Sequence, residues 1–363
     1  MNAVELQSKT IDFLRFPLIV GVVFIHAQFT EVVFNGVNIV DVGSFPVYND
    51  VAELFSGILA RTAVPLFFLF SGLLFFYHGD FTWSGYVGNL RKRVKTLLIP
   101  YLFWNILVIF LFFLAQMLLP SLMSGGHKLI QSYTFSDWIL AFWNGEEGRF
   151  PICYQFWFIR DLMVAVCISP LIYVLVKYIP WLYLSVLGGL WVFDVVPSVP
   201  GFSISCLFFF SLGAWFGVKR HNLVILFRPF LIPVTILYPL LCVVELWKGN
   251  LILHQINILV GMVLLIALCA RMIDAGRWKT NGFLSSASFF IFAYHAMPLS
   301  LLGKLLIKWF PPQSDWQLIG FYFLRPFIIL VIGLLLYYLL NKYIPAFTRI
   351  ITGNRNYTPS KHV

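Results

Sequence analysis

Residues 9–30, KTIDFLRFPLIVGVVFIHAQFT, are long and apolar enough to cross a bilayer as one helix, yet they hold Asp12, Arg15 and His26. A charged side chain inside a membrane costs on the order of a few kcal/mol unless it faces a protein interior, so the segment must be a membrane helix with one polar, protein-facing stripe. Arg15 and His26 are eleven positions apart. At about 100° per residue they return to within roughly 20° of one face, about 16 Å apart along the axis. Both are therefore expected to look into a single interior. Asp12 precedes Arg15 by three positions, close enough on a helix to pair with it and lower the cost of its charge.

The rest of the chain keeps this character. It is 60% hydrophobic and 11% charged, whereas soluble domains carry about a quarter charged residues. The fold class is all-α: a polytopic integral membrane protein. Apolar runs near the length that spans a bilayer recur at 56–78, 97–119, 156–177, 181–196, 202–218, 229–247, 252–270, 283–306 and 317–340, which makes ten with the first. The turn from Pro197 to Gly201 separates the two short ones. The expectation is one transmembrane domain over 1–345 and a cytoplasmic tail over 346–363. No small-residue cleavage site follows the first segment, so it is read as a retained helix and not a signal peptide.

A formal net charge of +10 would suit a nucleic-acid binder in a soluble chain. Here orientation explains it, because Lys and Arg collect in cytoplasmic loops. With the N-terminus inside, sixteen Lys and Arg fall on inner segments, Arg91, Lys92, Arg93, Lys95, Arg355 and Lys361 among them, against six on outer ends. Both termini are therefore placed in the cytoplasm. The outer loops carry the acids Glu31, Asp41, Asp50, Glu53, Asp137, Glu146 and Glu147. Cys153, Cys167, Cys206, Cys242 and Cys269 are scattered without pairwise spacing, so neither a disulfide framework nor a zinc site is implied.

In this orientation His26 lies past the midplane toward the outside, a titratable group between two aqueous sides. A histidine that merely hydrogen-bonds a neighbouring helix is the plain alternative; the face it shares with Arg15 argues against that. The order Asp12, Arg15, His26, then VPLFFLFSG (64–72), a basic run into IPYLFWN (99–105), FWFIRDL (156–162), FFSLG (209–213) and SFFIFAYH (288–295) resembles the bacterial acyltransferase-3 family across most of the chain. The resemblance implies about ten helices in a bacterial inner membrane. It also implies transfer of an acyl group, usually acetyl, from cytoplasmic acyl-coenzyme A to a hydroxyl of a cell-surface or lipid-linked carbohydrate. His26 would be catalytic, with Arg15 and Asp12 in its site. No permanently bound cofactor and no metal are implied. One departure stands out: the family's basic motif has two arginines three apart, and here Arg93 fits the first position while Thr96 occupies the second, so that Lys95 or Arg91 could supply the missing charge.

The chemistry suits these residues. Arg93, Arg91 and Lys95 would attract the donor's phosphates, arginine bidentately; positive-inside anchoring accounts for the same cluster. A sugar hydroxyl needs a base to attack a thioester, and an imidazole can supply it and then protonate the thiolate, or carry the acyl group itself. Candidate acceptor contacts are Arg61, Trp157, Arg160, Glu245 and His295. For Arg61 the alternative is snorkelling to water, for Trp157 interfacial anchoring and for His295, beside Pro298, a structural hydrogen bond. Asp161 points about 100° from Arg160, so each is expected to have a different partner. Asp194, Glu245 and Arg325 suggest a buried pairing network. Ser71 and Gly72 read as close-packing residues. A proton-coupled transporter or a lipid-linked sugar flippase would share the spans and the titratable histidine; transport of labelled solute without release of free coenzyme A would distinguish either from an enzyme.

Overall fold

The computed structural model describes residues 1–29, 33–34, 37–38, 40–77, 81–119, 128–145 and 147–355. Glu31, Glu146, Lys361 and the rest of the tail beyond Arg355 lie outside the described residues. Apart from a two-residue antiparallel pairing of Val33–Phe34 with Val37–Asn38 and an isolated bridge between Val199 and Phe202, the regular structure of the described residues is helical.

Helix α1 (Ala3–Ile25) starts where Asn2 accepts a hydrogen bond from the Glu5 amide, a side-chain cap for an otherwise orphaned donor. Its interior Pro17 removes one backbone donor. Then come α2 (Pro46–Ala52), a widened turn at Glu53–Ile58, a tight turn at Leu59–Thr62 and α3 (Ala63–Phe76), which run as one helical rod. A second rod joins α4 (Trp83–Arg93) through another widened turn, Val94–Leu98, to α5 (Ile99–Leu118). The short α6 (Phe135–Ala141) leads to α7 (Trp157–Cys167), α8 (Ser169–Tyr178), α9 (Pro180–Phe193) and α10 (Ile204–Val218). The remainder is α11 (Leu223–Phe227), α12 (Leu231–Lys248), α13 (Leu251–Asp274), α14 (Gly282–Tyr294), α15 (Ala296–Trp309), α16 (Asp315–Tyr343) and α17 (Pro345–Ile351).

Five helical rods are long and apolar enough to cross a membrane, and seven if each bent pair is one span. Two segments read as single spans are broken. Helices α7 and α8 bend by 65°, and α14 and α15 by 63°. In each case a proline, Pro170 or Pro298, sits in the first turn after the break, where it cannot donate to the carbonyl four residues back. The second bend falls on His295, so the proline that distorts the helix also sets a histidine in the wall of the bundle.

Helix α1 is the centre, packed against α3, α13 and α14, with Leu14 and Val23 fully buried. Helices α3 and α10 approach closely because glycines meet backbone. A Cβ at Gly72 would overlap the Phe210 carbonyl, and one at Gly213 the Leu69 carbonyl. Gly72 is thus the close-packing residue its sequence suggested. In a bilayer, where lipid is as apolar as leucine, such contact replaces the hydrophobic effect as the force between helices. The outward face of α12, with Ile232, Ile236, Leu240 and Val243 exposed, is a surface for lipid. Exposed Trp83, Trp181, Trp247, Trp309 and Trp316 sit at helix ends, where aromatic rings anchor to a membrane interface.

Candidate active site

The last turn of α1 tightens. The amide of His26 bonds back to the Val23 carbonyl and that of Ala27 to Phe24, three residues behind in each case. His26 ends the helix at φ −95°, ψ 4°, in the sparsely populated bridge region where many active-site residues sit. Four side chains from elsewhere hold this end. Ser56 donates to the Phe24 carbonyl and contacts the Tyr322 hydroxyl at 2.7 Å. Arg325 donates through Nη2 to the Ala27 carbonyl. Its guanidinium lies 3.5 Å over the Phe29 ring. The Phe29 amide donates to the Tyr48 hydroxyl at 2.7 Å. The imidazole therefore projects from a backbone fixed on several sides.

His26 lines a cavity of about 510 Å³, together with Arg61, Tyr154, Gln155, Trp157 and His254. Its ring lies edge-on to Tyr154, centroids 5.1 Å apart, and 5.4 Å from the ring of His295. His295 is fully buried, and its Nδ1 faces the Phe292 carbonyl at 2.8 Å and the Ile291 carbonyl at 3.2 Å. Nδ1 must therefore carry the proton, which leaves Nε2 as a lone pair. That Nε2 has no hydrogen-bond partner among the described residues. A buried acceptor left open next to a second imidazole is a place for a donor.

Three residues that the sequence had proposed as acceptor contacts are gathered here. Arg61 and Trp157 line the cavity, and His295 stands beside His26. Arg61 does not lie near the start of its span, where the run 56–78 put it. It lies in the tight turn Leu59–Thr62, midway along the rod from Pro46 to Phe76, because the rod begins well before the apolar run does. Glu245 reaches the site through another residue. Its Oε1 lies 2.6 Å from Nδ1 of His254, which lines the cavity, while Asn257 donates to Oε2 at 2.6 Å. His254, Tyr154 and Gln155 were not singled out from the sequence. His254 and Gln255 were visible as polar residues in an apolar helix; Tyr154 and Gln155 precede a span and gave no such signal.

Other expectations are corrected. Arg15 and Asp12 do pair, at 3.1 Å, but both side chains are over two-fifths exposed and neither lines the cavity around His26. Eleven residues of axial rise separate Arg15 from His26, and fourteen separate Asp12 from it, which a shared helix face does not remove. Arg160 and Asp161 do not seek different partners. The long Arg160 side chain curls back so that Nε and Nη2 both donate to Asp161 Oδ1, at 3.0 and 2.9 Å. Asp161 also accepts from the amides of Gly201 and Ser203, and Arg160 Nη1 donates to the Trp143 and Arg149 carbonyls. This buried clamp fastens the turn before α10 to α7, away from the cavity lining. Asp194, Glu245 and Arg325 form no network: Asp194 is exposed at the end of α9, and the other two bond to His254 and Ala27. Of the basic run, Arg91 and Lys95 are exposed, and Arg93 is half-buried with its guanidinium 5.7 Å from the Phe75 ring centroid.

The fold and site together define an all-helical, multi-pass membrane protein with His26 lining a cavity of about 510 Å³ and a second imidazole, His295, buried beside it. Residues 8–342 match the family described as an acyltransferase domain, and the chain belongs to that acyltransferase-3 family. It is 25% identical over 370 residues, 96% of this chain and 92% of the relative, to the succinoglycan biosynthesis protein ExoH of Rhizobium meliloti (strain 1021). No solved structure matches the chain.

Proposed function

We propose that this protein is an O-acyltransferase of the bacterial inner membrane that moves an acyl group, acetyl by family habit, from cytoplasmic acyl-coenzyme A to a carbohydrate hydroxyl outside. The observation that carries the reading is a pair of imidazoles, His26 at the cavity on a clamped helix end and His295 buried behind it with its tautomer fixed and a nitrogen open. The relative's part in succinoglycan biosynthesis points to an exopolysaccharide or its lipid-linked precursor as acceptor. Crossing by α1, α9 and α10, besides the five long rods and the two bent pairs, would bring the spans to ten and both termini to the cytoplasm.

In the proposed reaction, His26 takes the proton from the attacking hydroxyl as its oxygen bonds to the thioester carbonyl carbon. The carbon–sulfur bond then breaks, and the imidazolium returns the proton to the leaving sulfur. His295 Nε2 accepts a hydrogen bond from the hydroxyl and orients it. Arg61 faces the growing negative charge on the carbonyl oxygen, where a fixed cation in a water-poor cavity is most effective. His254, steadied by Glu245, and Trp157 hold the sugar by a hydrogen bond and by ring stacking. Arg91, Arg93 and Lys95 attract the donor's phosphates, with Arg15 and Asp12 on the donor's side.

The test uses purified protein in vesicles with acetyl-coenzyme A and candidate glycans, following free thiol release. The parent should turn over and His26→Ala should not, while Arg15→Ala should be slowed. Equal rates in all three would refute the site.

A further inference from the structure

The C-terminal tail returns to the bundle. After α16 the chain reverses into α17, and Trp104 Nε1 donates to the Ile351 carbonyl at 3.0 Å. Gly353 has φ +64°, and a Cβ there would collide with the Thr96 carbonyl, so only glycine lets the backbone pass this close. Two residues later Arg355 Nη1 donates to the carbonyls of Thr96, at 3.2 Å, and Thr352, at 3.0 Å. Its guanidinium lies 4.5 Å from the Phe289 ring centroid, and its own carbonyl accepts from the Tyr337 hydroxyl at 3.1 Å. A residue from the far end of the chain is thus seated on Thr96, the position where the basic run lacks its second arginine.

Arg355 and Arg93 are stacked on aromatic rings, and neither has a carboxylate partner among the described residues. Burial, followed by the positive charges of Arg93 and Arg15, pushes the Arg355 guanidinium down to about 9. Three guanidinium groups therefore share one neighbourhood, and Asp12 is the acid described with them. The Thr96 hydroxyl is also buried there without a hydrogen-bond partner. Partly desolvated cations with little countercharge and an open hydroxyl donor suit a polyanion with phosphate oxygens.

We infer that Arg355, brought back by the tail, completes with Arg93 and the Thr96 hydroxyl a binding site for the nucleotide phosphates of the acyl donor. The inference rests on the reading that the donor is acyl-coenzyme A. Arg355 takes the place that Thr96 leaves vacant in the basic run, so the tail is a working part of the donor entrance.

The experiment compares acetyl-coenzyme A with S-acetylpantetheine, which has the same thioester and arm but no nucleotide, using the full-length protein in vesicles. Binding of adenosine bisphosphate, the nucleotide portion alone, is measured by calorimetry. Arg355→Ala should raise the KM for acetyl-coenzyme A and weaken adenosine bisphosphate binding, each by about tenfold. Turnover of S-acetylpantetheine should stay within about twofold, which also shows that the variant is folded. Arg355→Lys should fall between, since a point charge replaces a planar fork. Equal losses with both donors, or unchanged nucleotide affinity, would overturn the inference and leave Arg355 a structural staple. If Arg93→Ala weakens nucleotide binding and Arg355→Ala does not, the inference is overturned while the donor reading stands. If the parent neither binds the nucleotide nor releases thiol from any coenzyme A thioester, the donor reading itself fails.

Discussion

Arg325 on α16 donates to the carbonyl of Ala27, the residue that follows His26, across 298 positions of sequence. The contact ties the end of α1 to a helix near the other end of the chain, and the Phe29 ring beneath the guanidinium fixes its plane. Arg325→Ala should lower kcat roughly 10- to 100-fold through a misplaced imidazole, while the donor KM moves less than about threefold. Gly303→Ala should have a similar effect from the opposite side, because a Cβ there would strike Arg325 Nη1. Thiol-release kinetics of both variants check this; a change confined to KM would contradict it.

The two imidazoles should act as a unit. His26→Ala should reduce the rate by roughly 10²- to 10⁴-fold, the usual range for loss of an acid–base group. His295→Ala should cost about 10- to 100-fold, because it removes an orienting acceptor and leaves the proton-transferring group in place. The double variant should be little slower than His26→Ala alone, since residues that serve one step are not additive. Fully additive losses would separate their roles.

Much of this was legible in the sequence, and the failures share a cause. Membrane character follows from hydropathy, and His26 stands out as a residue too costly to bury without reason. Arg61 and Trp157 at the cavity and His295 beside His26 are singled out as polar or aromatic groups near spans and, for Arg61 and His295, by the family phrases beside them. Side-chain reach was not legible. Helical angles put Arg160 and Asp161 about 100° apart, yet a long flexible side chain folds back onto its neighbour. The same angles put Arg15 and His26 on one face, but a face is a line, and the cavity occupies only its far end. Long-range partners such as Ser56, Tyr48 and Arg325 are beyond any local pattern, because their meaning depends on which helices meet.

Glu245 and His254 form a dyad that should govern the acceptor and not the donor. The carboxylate is 7% exposed and bonded by both oxygens, so its work is to hold the imidazole that faces the cavity. Glu245→Leu should raise the acceptor KM by about five- to tenfold, the loss expected from one charge-assisted hydrogen bond. Hydrolysis of the donor without acceptor should be unchanged. Varying the glycan at saturating acetyl-coenzyme A measures the first, and thiol release without glycan the second.

Stability should depend sharply on where a methyl group is added to the helices. Gly72→Ala forces a Cβ into the Phe210 carbonyl, so α3 and α10 must separate, at a cost of about 1–3 kcal/mol by overpacking. Gly189 on α9 has no atom within 4 Å of the position a Cβ would take. There the same substitution should be neutral or stabilise by up to about 1 kcal/mol, because alanine restricts the unfolded chain and favours helix. Thermal unfolding in detergent should rank Gly189→Ala at or above the parent and Gly72→Ala well below it. If the two variants melted together, close backbone contact would not be what holds α3 to α10.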